Sequence, residues 1–294
     1  MKCLITGCNG QLGYDIAREL DRRGYKDYLA LDREKMDITN REQVMQVVTD
    51  YNPDVIFHCA AWTAVDKAEY MVDACTTVNV EGTKNLVDAS LAVDAKILYM
   101  STDYVFDGKK EGYYTEEDTP NPQSVYGRTK YAGEEEVRRN PKHYIARISW
   151  VFGINGNNFI KTMLKLSETH DTLNVVNDQI GTPTYTVDLS RLLVDMAETD
   201  KYGTYHSTNE SYCSWAEFAE YIFKINNKDV VVNKVTTEEY LEITGTKQAY
   251  RPRNSKLSKE KLKNAGFELL PSWQDATERY CKELIESKQL EGSK

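Results

Sequence analysis

The sequence predicts an α/β protein in which a doubly wound parallel sheet of Rossmann type carries a smaller C-terminal lobe. Short apolar runs alternate with helical patterns from residue 2 to about residue 150, the order that gives a parallel sheet with helices on both faces. A glycine-rich turn joins the first strand to the first helix, and the alternation is lost from about Gly203. We expect a dinucleotide-binding domain of residues 1–150 with about 175–202, and a substrate-binding lobe of about 151–174 and 203–294.

Composition and charge exclude several classes of protein. The 294 residues carry a net charge of −9, which disfavours binding to nucleic acid or to an anionic membrane surface. No apolar run approaches the length of a membrane-spanning helix, and the strand after Met1-Lys2 leaves no room for a signal segment. The six cysteines form no C-x-x-C pair and the four histidines form no zinc-binding pattern. We therefore expect free thiols, no metal and a cytoplasmic location.

The first strand, Lys2 to Thr6, runs directly into a turn that predicts a nucleotide site. Glycines stand at Gly7, Gly10 and Gly13, and a helical pattern follows as far as Gly24. Glycine lets the backbone turn tightly and approach a pyrophosphate, whose charge then rests on the helix N-terminus. The G-x-x-G-x-x-G spacing differs from the G-x-G-x-x-G of many dehydrogenases, however, and also suits an ordinary strand-to-helix turn.

The second strand, Tyr28 to Leu31, ends at two residues that point to different cofactors. Asp32 is placed to accept hydrogen bonds from the ribose hydroxyls of NAD, whereas Arg33 would hold the 2′-phosphate of NADP. The sequence therefore leaves NADH and NADPH open. We predict that the run 37–39, Asp-Ile-Thr, starts the next helix, with Asp37 suited to cap it.

The next two strands end in residues that suit a ligand site. The apolar run 54–59 is followed by the mostly small residues 60–63, against which a cofactor can lie close to the backbone. A helix is predicted from Val80 to Leu91, and the strand 96–100 then leads to Thr102. Open α/β sheets bind ligands along the carboxyl ends of their strands, so both ends are expected at one cleft.

The strongest chemical signal is the pair Tyr126 and Lys130, which lie one turn apart on one face if their stretch is helical. A phenol with a pKa of about 10 is a poor acid at neutral pH. A neighbouring ammonium favours the phenolate and is expected to lower the pKa of Tyr126. With the Thr102 hydroxyl as a second donor, the pair suits proton transfer to an alkoxide as a carbonyl is reduced. A Tyr-x-x-x-Lys pair also arises by chance in a chain with twenty tyrosines.

The second half of the chain adds two candidate anion sites. Asn158 and Lys161 stand at the start of a helix predicted over 160–166, where they suit a phosphate or a simple N-cap with a solvated lysine. Arg251 lies in the basic loop 250–256, where it would pair with a ligand phosphate or face solvent. Further helices are predicted at 187–196, 214–225, 237–241 and 273 to about 285.

Six stretches in family order make the chain resemble the extended short-chain dehydrogenase/reductase superfamily and, within it, the dTDP-4-dehydrorhamnose reductase family. They are Gly7-Cys-Asn-Gly-Gln-Leu-Gly13, Ala60-Ala-Trp-Thr-Ala-Val-Asp-Lys-Ala-Glu69, Ser101-Thr-Asp-Tyr-Val-Phe-Asp-Gly108, Tyr126-Gly-Arg-Thr-Lys-Tyr-Ala-Gly-Glu134, Arg147-Ile-Ser-Trp-Val-Phe152 and Asn177-Asp-Gln-Ile-Gly-Thr-Pro183.

This resemblance implies NAD(P)H-dependent reduction of the C4 ketone of a dTDP-linked 4-keto-6-deoxy sugar, giving dTDP-L-rhamnose for cell-surface polysaccharide. It implies that Tyr126 donates the proton, that Lys130 tunes it and holds the nicotinamide ribose, and that Thr102 hydrogen-bonds the reacting oxygen. With the residues singled out above, the expected substrate contacts are Thr102, Asp103, Tyr104, Trp150, Asn158 and Arg251. The expected cofactor contacts are Gly7, Gly10, Gln11, Leu12, Gly13, Asp32, Arg33, Asp37, Ile38, Ala60, Ala61, Trp62, Thr63, Tyr126 and Lys130.

Alternatives to this reading stay open. A reductase of another nucleotide-linked keto-sugar fits the same residues, and the regulatory β-subunit of methionine adenosyltransferase, which has no catalytic role, resembles the same family. The joint presence of the three catalytic candidates favours an enzyme. The order Thr102-Asp103-Tyr104 lacks the acidic pair of related dehydratases and favours simple reduction. Some family members dimerise through a metal; at those positions Asp15 and Asp188 are expected to be surface helix residues, and the chain to be a monomer or homodimer.

Overall fold

The structure, a computed structural model, describes residues 1–292 and confirms the α/β class. The strands are β1 (Cys3–Thr6), β2 (Tyr28–Leu31), β3 (Val55–His58), β4 (Lys96–Thr102), β5 (His143–Ile148), β6 (Val151–Phe152), β7 (Thr172–Val176), β8 (Ile180–Gly181), β9 (Thr184–Tyr185), β10 (Gly203–His206), β11 (Cys213–Ser214) and β12 (Val231–Val235). The helices are α1 (Gln11–Arg22), α2 (Arg41–Tyr51), α3 (Val65–Ala68), α4 (Val72–Thr76), α5 (Gly82–Ala92), α6 (Val125–Val137), α7 (Phe159–Leu166), α8 (Thr186–Ala197), α9 (Trp215–Ile225), α10 (Thr237–Thr244), α11 (Glu260–Asn264) and α12 (Trp273–Gly292).

Six strands form one parallel sheet in the order β2-β1-β3-β4-β5-β10. The chain passes from β1 to β2 on one side and then returns to β3 on the other side of β1. The connections that leave the carboxyl ends of β1 and β3 therefore diverge and open a crevice, the usual ligand site of such sheets. The predicted site residues lie at this edge.

Alternate side chains of each central strand enter different cores, which explains the uninterrupted apolar runs in the sequence. In β1, Cys3 and Ile5 pack with α1 and α8, whereas Leu4 packs with α2 and α5 on the opposite face. In β3, Phe57 and Ile56 divide in the same way. The sheet is therefore covered by helices on both faces, as the sequence predicts.

The smaller lobe has a core of its own, built from α7, α9 and α12. Its buried side chains include Ile160, Phe218, Ile222, Trp273 and Tyr280. The short parallel pair β7 and β12 lies beside this core. Among the described residues, no helix combines the length and the apolar character needed to cross a bilayer.

The predicted domain limits differ from the structure at two strands. Residues 203–206, assigned to the lobe from sequence, form β10 at the edge of the main sheet, where they pair with β5. Conversely, β7 includes residues 175 and 176, which the sequence assigns to the sheet domain, yet β7 pairs only with β12. Both strands are short and only partly apolar, so their sequence does not reveal which sheet they join.

Two predicted helix starts are also wrong. Asp37 does not cap α2, because the helix begins at Arg41 and the side chain of Asn40 accepts a hydrogen bond from the Gln43 amide. The helix predicted from Val80 instead continues a helical run that starts at Val72 and passes through a π-helical turn, Thr77–Glu81, before α5.

Candidate active site

The glycine turn after β1 packs against the backbone that follows β3. Gly7 has a positive φ of 66°, and a Cβ on it would lie 2.8 Å from the amide nitrogen of Ala60. A Cβ on Gly13 would lie 2.5 Å from the carbonyl oxygen of Gly7. Both positions therefore need glycine. Gly10, the N-cap of α1, brings no capping side chain, so the first amides of this 12-residue helix face the cleft and suit a pyrophosphate.

All residues predicted to contact the cofactor line one cleft of about 800 Å³. They are Gly7, Gly10, Gln11, Leu12, Gly13, Asp32, Arg33, Asp37, Ile38, Ala60, Ala61, Trp62, Thr63, Tyr126 and Lys130. Thr102, Asp103, Tyr104 and Trp150 line the same cleft. The fold thus brings the nucleotide candidates and the catalytic candidates into one continuous space.

The two residues that gave conflicting cofactor signals lie at one end of this cleft. The Asp32 carboxylate accepts hydrogen bonds from the Asn9 side chain at 3.1 Å and from the Lys35 amide at 3.0 Å, and these bonds hold its pKa below the usual value. Arg33 is 82 % exposed and pairs with Asp37 at 3.3 Å. A guanidinium so exposed is free to turn toward a 2′-phosphate, while Asp32 already has partners.

The loop after β3 is fixed by Asn79, a residue of the π-helical turn. Its side chain accepts from the Trp62 amide at 2.8 Å and donates to the Thr129 hydroxyl at 3.1 Å. The Ala60 amide donates to Thr6 at 3.1 Å. Asn79 therefore joins the cofactor side of the cleft to α6, which carries the catalytic candidates.

Tyr126 and Lys130 lie one turn apart on α6, as predicted. The Ser124 side chain caps this helix by accepting from the Gly127 amide, and a Cβ on Gly127 would clash with the Tyr104 carbonyl oxygen. The helix start is therefore pressed against the turn that follows Thr102. The ring of Tyr126 meets the ring of Tyr104 edge to face, with centroids 5.5 Å apart.

Burial, rather than the Tyr–Lys pairing, controls the protonation of these two groups. Burial raises the pKa of Tyr126 above its ordinary value, although a hydrogen bond with Thr102 opposes the rise. Burial also lowers the pKa of Lys130 to about 7, against the opposing charge of Glu134. The expectation that Lys130 pulls the pKa of the phenol down is therefore wrong for this structure, because desolvation of both groups outweighs their attraction.

A second cavity of about 220 Å³ opens beyond Tyr104 and contains Arg251. Asp103, Tyr104 and Trp150 line both cavities. The guanidinium of Arg251 donates to the Tyr104 hydroxyl at 3.0 Å and to the Asp66 carboxylate at 2.9 and 3.2 Å. Arg251 therefore faces a ligand cavity, and its charge is shared with a carboxylate that projects from α3.

The aromatic wall of this second cavity was not foreseen. Trp150 adopts a positive φ of 48° and stacks on Trp215 with ring centroids 3.6 Å apart, and Phe159 packs against Trp215 at 4.6 Å. Other unpredicted lining residues are Met163, Asn174, Val175, Val176, Gln179, Tyr240, Gln248, Pro252 and Ser255. Trp215 lies 65 residues beyond Trp150, and no local pattern signals that the two side chains meet.

Asn158 does not line either cavity. Its side chain accepts from the Lys161 amide and donates to Gln11 at 3.2 Å and to the Tyr280 hydroxyl at 3.0 Å. The Lys161 ammonium donates to the carbonyl of Ile154 at 2.6 Å. The structure thus gives Asn158 the capping role, and substrate contact by this residue stays a prediction that the geometry does not support.

Asp15 and Asp188 are buried, not surface residues as expected. Arg279 donates to both oxygens of Asp188, at 2.7 and 2.9 Å, while Arg18 donates to Asp15 at 2.8 Å. Thr186 also donates to Asp15. In the described part of the chain, no three His, Cys, Asp or Glu side chains converge as a metal site. Here the two carboxylates are paired with arginines of the same chain.

A doubly wound sheet with a glycine turn at its crevice and a Tyr-x-x-x-Lys helix across the cleft defines the extended short-chain dehydrogenase/reductase class. Within this class, the family model described as the RmlD substrate binding domain matches residues 1–286, so the chain belongs to that family.

Known relatives agree over nearly the whole chain. A dTDP-4-dehydrorhamnose reductase of Aggregatibacter actinomycetemcomitans is 43 % identical and covers 94 % of this chain and 96 % of its own. The crystal structure of a dTDP-4-dehydrorhamnose reductase from Clostridium acetobutylicum superimposes with a TM-score of 0.93 at 43 % identity, covering 97 % of this chain and all of that one. The enzyme from Bacillus anthracis, solved in complex with NADP, gives a TM-score of 0.91 at 43 % identity, covering 96 % and 100 %.

Proposed function

We propose that the protein is an NAD(P)H-dependent reductase of dTDP-4-dehydro-L-rhamnose, converting its C4 ketone to the alcohol of dTDP-L-rhamnose. One observation carries the proposal: Thr102, Tyr126 and Lys130 line the same cleft as the glycine turn, in a chain that matches reductases of this name from end to end.

The residues of the cleft fit a dinucleotide. Gly7 and Gly13 leave no room for side chains, and the free amides at the start of α1 face the same space. These amides would hold the pyrophosphate, and Lys130 would hold a ribose near the reacting centre. Asp32 or Arg33 would bind the second ribose. When bound, the reduced nicotinamide supplies the hydride that adds to the carbonyl carbon.

The chain itself manages the proton. Because burial raises its pKa, Tyr126 keeps its phenolic proton at neutral pH. An alkoxide is far more basic than a phenolate, so Tyr126 gives up this proton only as the C4 oxygen gains negative charge. Thr102 hydrogen-bonds the same oxygen and orients it. Trp150 and Arg251, in the second cavity, would bind the remainder of the nucleotide sugar.

The direct test is oxidation of NADPH and NADH by the purified protein, followed at the nicotinamide absorbance, with dTDP-4-dehydro-L-rhamnose supplied by coupled upstream enzymes. We expect cofactor oxidation together with formation of dTDP-L-rhamnose. The ratio of the two rates would decide between the signals of Asp32 and Arg33. Tight cofactor binding without oxidation would contradict the proposal and favour a non-catalytic regulatory subunit, whereas oxidation only with other nucleotide keto-sugars would change the substrate.

The proposal extends to the setting of the enzyme. We propose that it works in the cytoplasm, supported by six cysteines that are all unpaired in the structure, and that it is a monomer or a homodimer. Sedimentation equilibrium of the purified chain, with and without NADPH, would decide between the two assembly states.

A further inference from the structure

The Thr102 hydroxyl has one hydrogen and more than one acceptor for it. It donates to a carboxylate oxygen of Asp103 at 3.0 Å, and its oxygen accepts from the Tyr104 amide at 3.2 Å. A hydroxyl whose hydrogen is held by a carboxylate cannot also donate to a substrate oxygen. In this arrangement Thr102 is therefore turned away from the task that the proposed reduction gives it.

Asp103 decides which way this hydroxyl points. Its side chain is 3 % exposed, and its second oxygen accepts from the Ser255 hydroxyl at 2.6 Å. Within residues 1–292 no lysine or arginine forms an ion pair with it, since the nearby Arg251 is bound to Asp66. Burial raises the pKa of Asp103 to about 6. This carboxyl group is thus poised to exist in either form near neutral pH.

We propose that Asp103 is a positioning residue for the reduction: in its acid form it donates to Thr102 and turns the Thr102 hydroxyl toward the reacting oxygen. The inference rests on the reductase function proposed above. In this form the Asp103 hydroxyl and the Tyr104 amide fill both lone pairs of the Thr102 oxygen, and the Thr102 hydrogen is released. Asp103 keeps its own proton throughout, and the proton that neutralises the C4 alkoxide comes from Tyr126.

The charges of the reaction favour the same form. A carboxylate beside a developing alkoxide places two negative charges at one site, whereas the neutral acid does not. Cofactor and substrate both carry phosphates and exclude water from Asp103. Their binding is therefore expected to raise its pKa further. The kcat profile should accordingly fall at higher pH than the kcat/KM profile, because kcat reports the loaded enzyme.

Other titrating groups near Asp103 have to be separated from it. Tyr104 and Tyr126 have raised pKa values and stay neutral through this range. Arg251, on the loop beyond Ser255, stays charged. Lys130, on α6, has a pKa lowered to about 7 and loses its charge in the same direction as pH rises. Only variants at Asp103 and Thr102 can therefore assign the fall in activity.

The test compares pH profiles of NADPH oxidation for the wild type, Asp103→Asn, Thr102→Val and the double variant. An asparagine amide donates to Thr102 at every pH. We expect Asp103→Asn to lower the plateau by up to about tenfold and to move the alkaline fall upward by about one pH unit or more. In the Thr102→Val background the same substitution should leave the midpoint unchanged, because the residue acts through the Thr102 hydroxyl.

Two results would overturn the inference. One is an unchanged midpoint in Asp103→Asn; the other is an equal shift with and without the Thr102 hydroxyl. Asp103→Ala, which cannot donate, should show low activity without recovery at acidic pH, and its circular dichroism and NADPH affinity would confirm that it folds. If the wild type oxidises no NADPH with dTDP-4-dehydro-L-rhamnose at any pH, the reductase proposal itself fails instead.

Discussion

Burial sets the chemistry of individual residues in this cleft. Tyr126 is held as the neutral phenol, and the pKa of Lys130 falls to about 7, so near neutral pH the pair contains a proton donor and a lysine close to its titration point. The Lys130 ammonium also lies 4.0 Å from the centroid of the Tyr99 ring, which offers a partly desolvated cation a favourable contact. The sequence identified these residues correctly but not their environment.

Tyr126→Phe removes the proposed acid while keeping the ring that packs on Tyr104. Turnover should fall by ~10²–10⁴-fold, the usual range for loss of a general acid. Affinity for NADPH should persist, because the ring and the rest of the cleft are intact. Steady-state kinetics together with a fluorescence titration of NADPH would measure both quantities. Turnover near that of the wild type would rule out Tyr126 as the donor.

Lys130→Met keeps the length of the side chain but loses the charge and the donors. We expect weaker NADPH binding, by about tenfold or more for a lost charged hydrogen bond, together with slower turnover. The same titration and kinetics apply. A slower rate with unchanged NADPH affinity would argue against contact between Lys130 and the nicotinamide ribose.

At the scale of elements, the turn from β1 to α1 is the most constrained segment of the cleft. Gly13→Ala would place a methyl group 2.5 Å from the Gly7 carbonyl and 2.9 Å from the Cys8 Cα, both of which are backbone atoms. We expect a loss of about 1–3 kcal/mol in the free energy of unfolding, the range for overpacking. Urea unfolding of the free protein measures it.

Gly10→Ala is the matched control in the same turn. Its methyl would lie 3.2 Å from the Gly7 carbonyl, and its φ of −82° is allowed for any residue. The expected loss is below about 1 kcal/mol, chiefly from alanine at an N-cap. Equal losses in the two variants would show that the turn relaxes around Gly13, contrary to the packing described.

Element positions followed from sequence where burial on both sides makes a strand uniformly apolar. The second strand is found as predicted at Tyr28–Leu31, and the helix of Tyr126 and Lys130 forms as expected. Predictions failed where tertiary contacts decide. The π-helical turn at Thr77–Glu81 places Asn79 between two loops, and β10 joins the sheet through pairing with β5. Neither event has a local pattern in the chain.

The same limit applies to the site. The chain order of motifs was enough to place every cofactor candidate in one cleft, because parallel strands bring their carboxyl ends together. The stack of Trp150 on Trp215 and the bond from Ser255 to Asp103 join distant segments. Asn158 looked like an anion ligand because capping and anion binding use the same residue types.

At the scale of the molecule, a buried ion pair ties α6 to the sheet beneath the catalytic residues. Glu134 accepts from Arg147 at 2.8 and 2.9 Å and from Ser101 at 2.5 Å, and both charged side chains are 0–1 % exposed. Glu134 follows Lys130 by one turn, and Ser101 precedes Thr102. The pair therefore holds together the two elements that carry the proposed chemistry.

Glu134→Gln would leave the Arg147 charge buried without its partner. We expect a loss of about 3–5 kcal/mol in the free energy of unfolding, the usual cost of breaking a buried pair. Glu136→Gln is the control on the same helix, since the partly exposed pair of Glu136 with Arg139 should contribute at most about 1 kcal/mol. Similar losses in urea unfolding would contradict the special role of the buried pair.

The central claim is that this cleft reduces the C4 ketone of a dTDP-linked 4-keto-6-deoxy sugar. The most direct measurement is a turnover with NADPH carrying deuterium at the transferred position of C4 of the nicotinamide, followed by NMR of the product. The account predicts dTDP-L-rhamnose with deuterium at C4 of the sugar. A product without deuterium at that carbon, or no product while the cofactor remains bound, would contradict it.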